Sequence, residues 1–557
     1  MATLSHQSEA RISFLRTRRG RRVVENLTAY AFITPAAFLL FLFGVFPVIF
    51  AFFVSLHRWR RFPEAYQGLA NYERALGEFA QVPFFWLGAA ALGFAGLLIL
   101  RLLRQRSLRA TLALVPGGML GLSLASFSLW FFTLLPGVLN IPVTLRQLGV
   151  PMTGETFISA FFDAVRAPEV VGYANQMLVM TAFAVIVTLV YLRWARQAEA
   201  IGWLTRMFAA TTFLILGALA IGLVSEAIST AAAAAAEAGT ELAMWAQILL
   251  ISAGVGTIAA AYVLWRRAVR QHSDRLFVLT AVCSALLAVG GVLLIMELPR
   301  VLGTADYRFL HSFVVTAMYS GFAVPFELAI GLGLAYLLFQ RIRGRTLFRI
   351  VYFLPYITPF IATSIVFTVL FSHRGTSPIN NFINLFGIPD QKWLLEPTGI
   401  FRLIFGAGIP DWMAGPSLAL IVIIIYTIWT YAGYHTVVFL AGLGNISGEL
   451  YEAARIDGAN GWAVFRHITL PLLSPTTFFL LLVSVIGTFQ AFTQIWIMRT
   501  PAVTGAVDTV SVFIFEQARA NNPNLGYGSA MATVLFAVIL VLTLIQNRLA
   551  KNRVFYG

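Results

Sequence analysis

Charge is what this sequence most lacks. Of 557 residues only 11% are Asp, Glu, Lys or Arg, while 59% are hydrophobic and the mean hydropathy is +0.81. Soluble proteins carry about a quarter charged residues, so a water-soluble enzyme is excluded, as are disordered and collagen-like chains. Lysine is nearly missing: Lys392 and Lys551 are the two present, and neither follows a glycine. A phosphate-cradling loop needs Gly-Lys-Ser/Thr, so any ATP this protein uses is bound by another chain. The one cysteine, Cys283, sits in an apolar run and can form no intrachain disulfide. His6, His57, His272, His311, His373, His435 and His467 are dispersed without His-Glu-x-x-His spacing, and nothing resembles a nucleophile and base pair. No metal, no cofactor and no catalytic residue is assigned.

What the sequence has is long apolar runs. A helix crosses a bilayer with about 20 apolar residues, and twelve runs qualify: 30–56, 84–100, 110–135, 174–192, 207–225, 243–265, 276–298, 311–339, 350–372, 417–440, 476–498 and 527–546. The net charge of +15 suggests nucleic acid until the basic residues are located. They lie in short clusters between the runs, which is the pattern of membrane topology and not of a nucleic-acid face. With the N-terminus inside, alternate loops and the two termini hold 26 of the 39 basic residues on the cytoplasmic side. Both termini and the loop 441–475 then face the cytoplasm. The first run follows Arg16, Arg18, Arg19, Arg21 and Arg22 but is too long for a signal peptide, so it reads as a retained anchor.

The loop 441–475 carries the informative motif: Glu452-Ala453-Ala454, three residues, Gly458, nine residues, then Ile468-Thr469-Leu470-Pro471. Ser447 is placed to cap a short helix, with Leu450, Ala453 and Ala454 on one face. Gly458 suits a left-handed helix end. Asn460 is placed to cap a second helix bearing Trp462, Phe465 and Ile468, and Pro471 fits the start of the next span. The result is a hairpin with an apolar face and nothing in its own loop large enough to cover it, which implies a partner.

This spacing resembles the cytoplasmic signature of permease subunits of binding-protein-dependent sugar ABC importers, the maltose and glycerol-phosphate type. Thr34-Pro35, Phe46-Pro47, Gly68-Leu69-Ala70-Asn71-Tyr72, Phe353-Leu354-Pro355 and Leu525-Gly526-Tyr527-Gly528-Ser529-Ala530 are similar to stretches of the same family. The resemblance covers 1–76 and 308–557. It implies a six-helix permease core, and with the twelve apolar runs the chain reads as an all-α polytopic protein of about twelve transmembrane helices: a basic cytoplasmic N-terminus (1–29), a first core span and outside loop (30–76), an inserted helical membrane region (77–307) where the chain departs from the family, and a permease core (308–557). The core is the first span plus the last five, and six inserted helices preserve the polarity of all that follows.

The resemblance further implies that the hairpin docks on a separate ATPase, with Glu452, Ala453, Ala454, Asp457, Gly458, Ile468, Leu470 and Pro471 forming the coupling element. The implied partners are a second permease subunit, an ABC ATPase dimer that binds the ATP and Mg, and an extracytoplasmic solute-binding protein. The implied setting is the lipid of a prokaryotic cytoplasmic membrane. By position in the family, a sugar path passes Thr427, Tyr431, Tyr434, Ser484 and Thr488. Ser484 and Thr488 share a helix face, and Gln490 and Gln494 read as a second such pair. Hydroxyls, amides and rings suit an uncharged polyol, although serine and threonine also bond their own helix backbone. Glu327 follows Pro325 inside the eighth run, and an intramembrane carboxylate is costly. It either bonds a neighbouring helix or lines the path. Two other functions stay open at this point: a secondary transporter using Glu327, and a membrane enzyme acting on lipid-linked sugars, for which no carboxylate cluster is seen.

Overall fold

The computed structural model describes residues 18–105, 107–195, 199–238, 244–269, 274–295, 302–340, 343–410 and 413–551. His6, Arg16 and His272 lie outside these residues, as do residues 1–17 of the basic N-terminus. Among the described residues nine helices are long and apolar enough to cross a membrane, and two bent pairs bring the number to eleven if each is one span. The run expected at 276–298 is a shorter apolar helix, Val278–Leu294, and residues 296–301 beyond it are not described.

In chain order, α1 (Arg18–Leu40) passes through a π-turn at Phe41–Val45 into α2 (Phe46–Ser55), completing the first span. A hairpin of β1 (His57–Trp59) and β2 (Pro63–Tyr66) and the short α3 (Ala70–Leu76) follow. The inserted region holds α4 (Gln81–Leu103), α5 (Leu114–Leu139), the short α6 (Ile141–Gln147), α7 (Gly154–Arg166), α8 (Pro168–Ala195), α9 (Ala200–Ala238), α10 (Met244–Ala268) and α11 (Asp274–Ile295). The remainder holds α12 (Tyr307–Phe339), α13 (Arg345–Ile357), α14 (Phe360–Leu370), α15 (Leu418–Gly444), α16 (Gly448–Ile456), α17 (Gly461–Val464), α18 (Ser474–Phe489), α19 (Thr493–Met498), α20 (Val510–Arg519) and α21 (Leu525–Ala550).

Two expected spans are not straight. The run 350–372 bends by 95° between α13 and α14. Pro359 forces Thr358 out of the helical region to ψ 140°, since the residue before a proline clashes in the α conformation. The run 476–498 ends at Phe489, and α19 restarts after a break at residues 490–492. That break corrects the reading of Gln490 and Gln494 as one helix face: they belong to different elements.

The family-like stretches at the two ends of the chain pack on each other. Asn71 donates from Nδ2 to the carbonyls of Ser55 (2.9 Å) and His57 (3.0 Å), pinning α3 to the end of the first span. Tyr527 donates to Asp306 at 2.8 Å beneath the Arg74 guanidinium, so the start of α21 meets α3 and α12. The inserted region joins this unit through an apolar cluster of Leu69, Tyr72, Val224, Ala227, Ile251 and Ala530. It is also tied at the hairpin, where Tyr66 donates to Glu226 (3.2 Å) and Asn140 donates to the Pro63 carbonyl (3.3 Å). Burial and the Glu226 carboxylate both push the Tyr66 hydroxyl above its ordinary value. All of these segments are assigned by the arginine count to the outside, and they lie together.

Candidate functional site

The loop 441–475 folds as the expected hairpin. Ser447 caps α16 by accepting from the Glu449 amide at 3.3 Å, and Asn460 caps α17 by accepting from the Ala463 amide at 2.8 Å. Between them Gly458 takes φ +72°, a left-handed conformation that a side chain disfavours. Tyr451 and Thr469 share a hydroxyl hydrogen bond of 3.2 Å that clamps the two arms. Phe465 packs edge-on against Tyr336 of α12, at 5.0 Å between ring centres, so the hairpin is braced on a core span.

Its outer surface is uncovered. Leu450, Ile456 and Trp462 are exposed, Ile456 by 86%, and Glu452, also exposed, has no ionic partner among the described residues. The apolar face differs in one respect from the expected one. Ala454 is turned inward and buried while Leu450 and Ala453 stay exposed. Ile468, Leu470 and Pro471 are half-buried and join the hairpin to α18; Asp457 ends α16, exposed.

The proposed path residues divide into two groups. Thr427, Ser484, Thr488, Gln494 and Glu327 are buried in a polar network that ties α12, α15, α18 and α19 together. Tyr319 bonds Thr427 (2.7 Å) and accepts from Gln494 Nε2 (3.1 Å), and Thr488 donates to Ser320 (2.7 Å). Ser484 meets His435 Nε2 at 2.9 Å, and His435 Nδ1 stands 3.9 Å from Glu327. Glu327 is therefore set between α12 and α15, bearing on a histidine.

Tyr431 and Tyr434 are half-buried one and two turns along α15 from Thr427 and on the same side, against Tyr356 of α13 with ring centres 5.8 and 4.9 Å apart. There the α13 backbone runs so close that a Cβ on Gly433 would collide with the Tyr352 carbonyl. In this structure the hydroxyls of Ser484 and Thr488 are spent on His435 and Ser320. Gln490 is exposed at the end of α18.

His435, Tyr319 and Tyr356 belong to this constellation and were not singled out from the sequence. His435 had a signal: a histidine within an apolar span is expensive, but it was weighed only for metal spacing.

The family described as binding-protein-dependent transport system inner membrane component matches residues 327–555, a stretch that starts at Glu327 and takes in the whole hairpin. The arabinooligosaccharides transport system permease protein AraP of Bacillus subtilis is 34% identical over 233 residues, 41% of this chain and 66% of the relative. The lactose transport system permease protein LacF of Rhizobium radiobacter is 31% identical over 233 residues, again 41% of this chain and 72% of the relative. This chain belongs to that family. The trehalose/maltose transport system permease protein MalF of Thermococcus litoralis is 29% identical, over 46% of this chain and 78% of the relative. As a binding-protein-dependent permease the chain is a multi-pass membrane transport component and not an enzyme. The family match begins beyond residue 307, so residues 77–307, which the sequence suggests are an insertion, lie outside the matched stretch.

Proposed function

We propose that this permease translocates a sugar or related polyol, delivered by an extracytoplasmic solute-binding protein, and is driven by a separate ABC ATPase through the Glu452 hairpin. The observation that carries the reading is the hairpin itself, capped, clamped and braced on α12, yet presenting an unpaired carboxylate among exposed Leu450, Ile456 and Trp462. Exposed apolar groups ringed by polar ones mark an interaction site. Glu452 would pair with a basic group on the ATPase, the small alanines would allow close approach, and Gly458 would hold the bend. ATP and Mg would stay on that partner, and a second permease subunit would complete the pathway. Both termini and the hairpin would face the cytoplasm, a reading supported by the arginine distribution.

The sugar class is supported by the names of the relatives and by the hydroxyls, amides and rings of the buried network. Tyr431 and Tyr434, half-buried beside Tyr356, offer ring faces for a sugar, and Thr427, Ser484, Thr488 and Gln494 become available to it only if the helices part. Transport would therefore exchange helix-to-helix hydrogen bonds for bonds to substrate. The test is a cysteine at position 452, with Cys283 replaced by serine, in membranes that also contain the ATPase. Disulfide crosslinking to the ATPase that responds to nucleotide is the expected result. Labelling of residue 452 from outside would overturn it.

A further inference from the structure

A second concavity lies away from the hairpin. It is a cleft of about 580 Å³ between the β1–β2 turn, α6 of the inserted region and the loop before α21. The turn contributes Arg60, Arg61 and Phe62, α6 contributes Thr144 and Gln147, and the loop contributes Asn522. The size is that of a small-molecule site, which runs to about 300–1,000 Å³.

Its charge is one-sided. Glu64, the carboxylate at the rim, is already paired with Arg58 at 3.1 Å. Arg60 and Arg61 are exposed and have no carboxylate partner among the described residues. Two adjacent free guanidiniums suit a carboxylate or phosphate, which they can engage with paired hydrogen bonds. Around them stand neutral hydroxyl and amide groups that match the alternating donors and acceptors of a polyol, and Phe62, 38% exposed, offers an apolar ring face. The cleft is fixed in shape, since Asn140 ties α6 to the Pro63 carbonyl and Trp59 beneath the turn is buried.

We propose that this cleft binds an anionic, hydroxyl-rich group, and that the inserted region serves to complete it. Two sources carry that chemistry: a carboxylated saccharide arriving from the aqueous side, and the glycerol phosphate head group of an acidic lipid, since the cleft lies at the ends of spans. The proposal is independent of the coupling reading, because it requires neither an ATPase nor transport.

The experiment uses the full-length chain and two probes. In detergent it is titrated calorimetrically with a galacturonate trimer and with the neutral galactose trimer. In nanodiscs of phosphatidylglycerol or of phosphatidylcholine, retained lipid is counted by native mass spectrometry. The anionic probe should bind about tenfold or more tightly than its neutral counterpart, with affinity falling as salt rises. Arg60→Gln with Arg61→Gln should remove that preference, and Thr144→Val with Gln147→Ala should weaken binding several-fold. Arg109→Gln, which removes a distant positive charge, should leave it unchanged. Binding of the saccharide identifies the aqueous source, and selective retention of phosphatidylglycerol alone identifies the lipid. Equal behaviour of wild type and the Arg60/Arg61 variant with both probes would overturn the site. Indifference to the Thr144/Gln147 variant would overturn the role of the inserted region, and an equal loss in Arg109→Gln would reduce the effect to net charge.

Discussion

At the centre of the core, α15 and α12 bury 67% and 33% of their most apolar stretches inside the chain, whereas the candidate spans of the inserted region bury between 6% and 22%, a range shared by the first span (6%) and α21 (22%) at the core's edge. The polar contacts differ in the same way. Core hydroxyls form linked sets, Tyr319 with Thr427 and Gln494, Ser484 with His435. Inserted helices are joined by isolated bonds, such as Ser123 to Thr181 at 2.7 Å and Trp86 to Ser252 at 2.7 Å, which are exposed on the surface of the chain. Lipid tails are as apolar as leucine, so apolar contact alone gives a membrane helix little reason to choose a protein neighbour. A helix surrounded by protein and specified by several hydrogen bonds is held in one place. A helix that faces lipid is held by fewer terms and tolerates more change.

That contrast can be broken at several points. The largest effect is expected outside both sets of spans, at the hairpin that the core braces. Glu452→Ala should abolish uptake with normal amounts in the membrane, because removing one side of a desolvated charge pair costs roughly 2–5 kcal/mol. Radiolabelled sugar uptake alongside ATPase co-purification checks it, and retained uptake would remove the coupling role. Next comes Tyr319→Phe, which strips the shared partner from buried Thr427 and Gln494. A loss of about 1–2 kcal/mol is expected, read as unfolding in a denaturing detergent titration. If the regions truly differ, Ser123→Ala in the inserted bundle should cost only about 0.6 kcal/mol or less by the same assay. Equal losses at Tyr319 and Ser123 would erase the distinction.

The smallest expected effect attends the largest edit. Joining residue 76 to residue 308 uncovers Leu69, Tyr72 and Ala530, but lipid covers apolar side chains nearly as well. On the reading of six inserted spans parity is kept, and a cysteine at 452 should still label from the cytoplasm. Accessibility from outside would show the insertion to be part of the core topology.

The site was legible in unequal parts. The hairpin could be read because its determinants are local: Ser447 and Asn460 each cap the helix that follows within a few residues, and Gly458 sets its own backbone. The break after Phe489 could not be read, since the apolar run continues across it and hydropathy carries no bend. His435 beside Ser484 and Glu327 was equally invisible. Those three lie on different helices, and their meeting depends on how α12, α15 and α18 are rotated against one another.

The sequence by itself determined that this is a membrane protein, which family it resembles and where its capped hairpin lies. These follow from composition, spacing and charge, which are properties of the chain in one dimension. Only the tertiary structure decided that the hydroxyls of Ser484 and Thr488 are spent between helices, that Glu327 faces a histidine, and that α6 closes a cationic cleft with a turn about eighty residues before it. Each of those depends on helix rotation and long-range packing. In an apolar span nearly every face is hydrophobic, so no sequence pattern says which face turns inward.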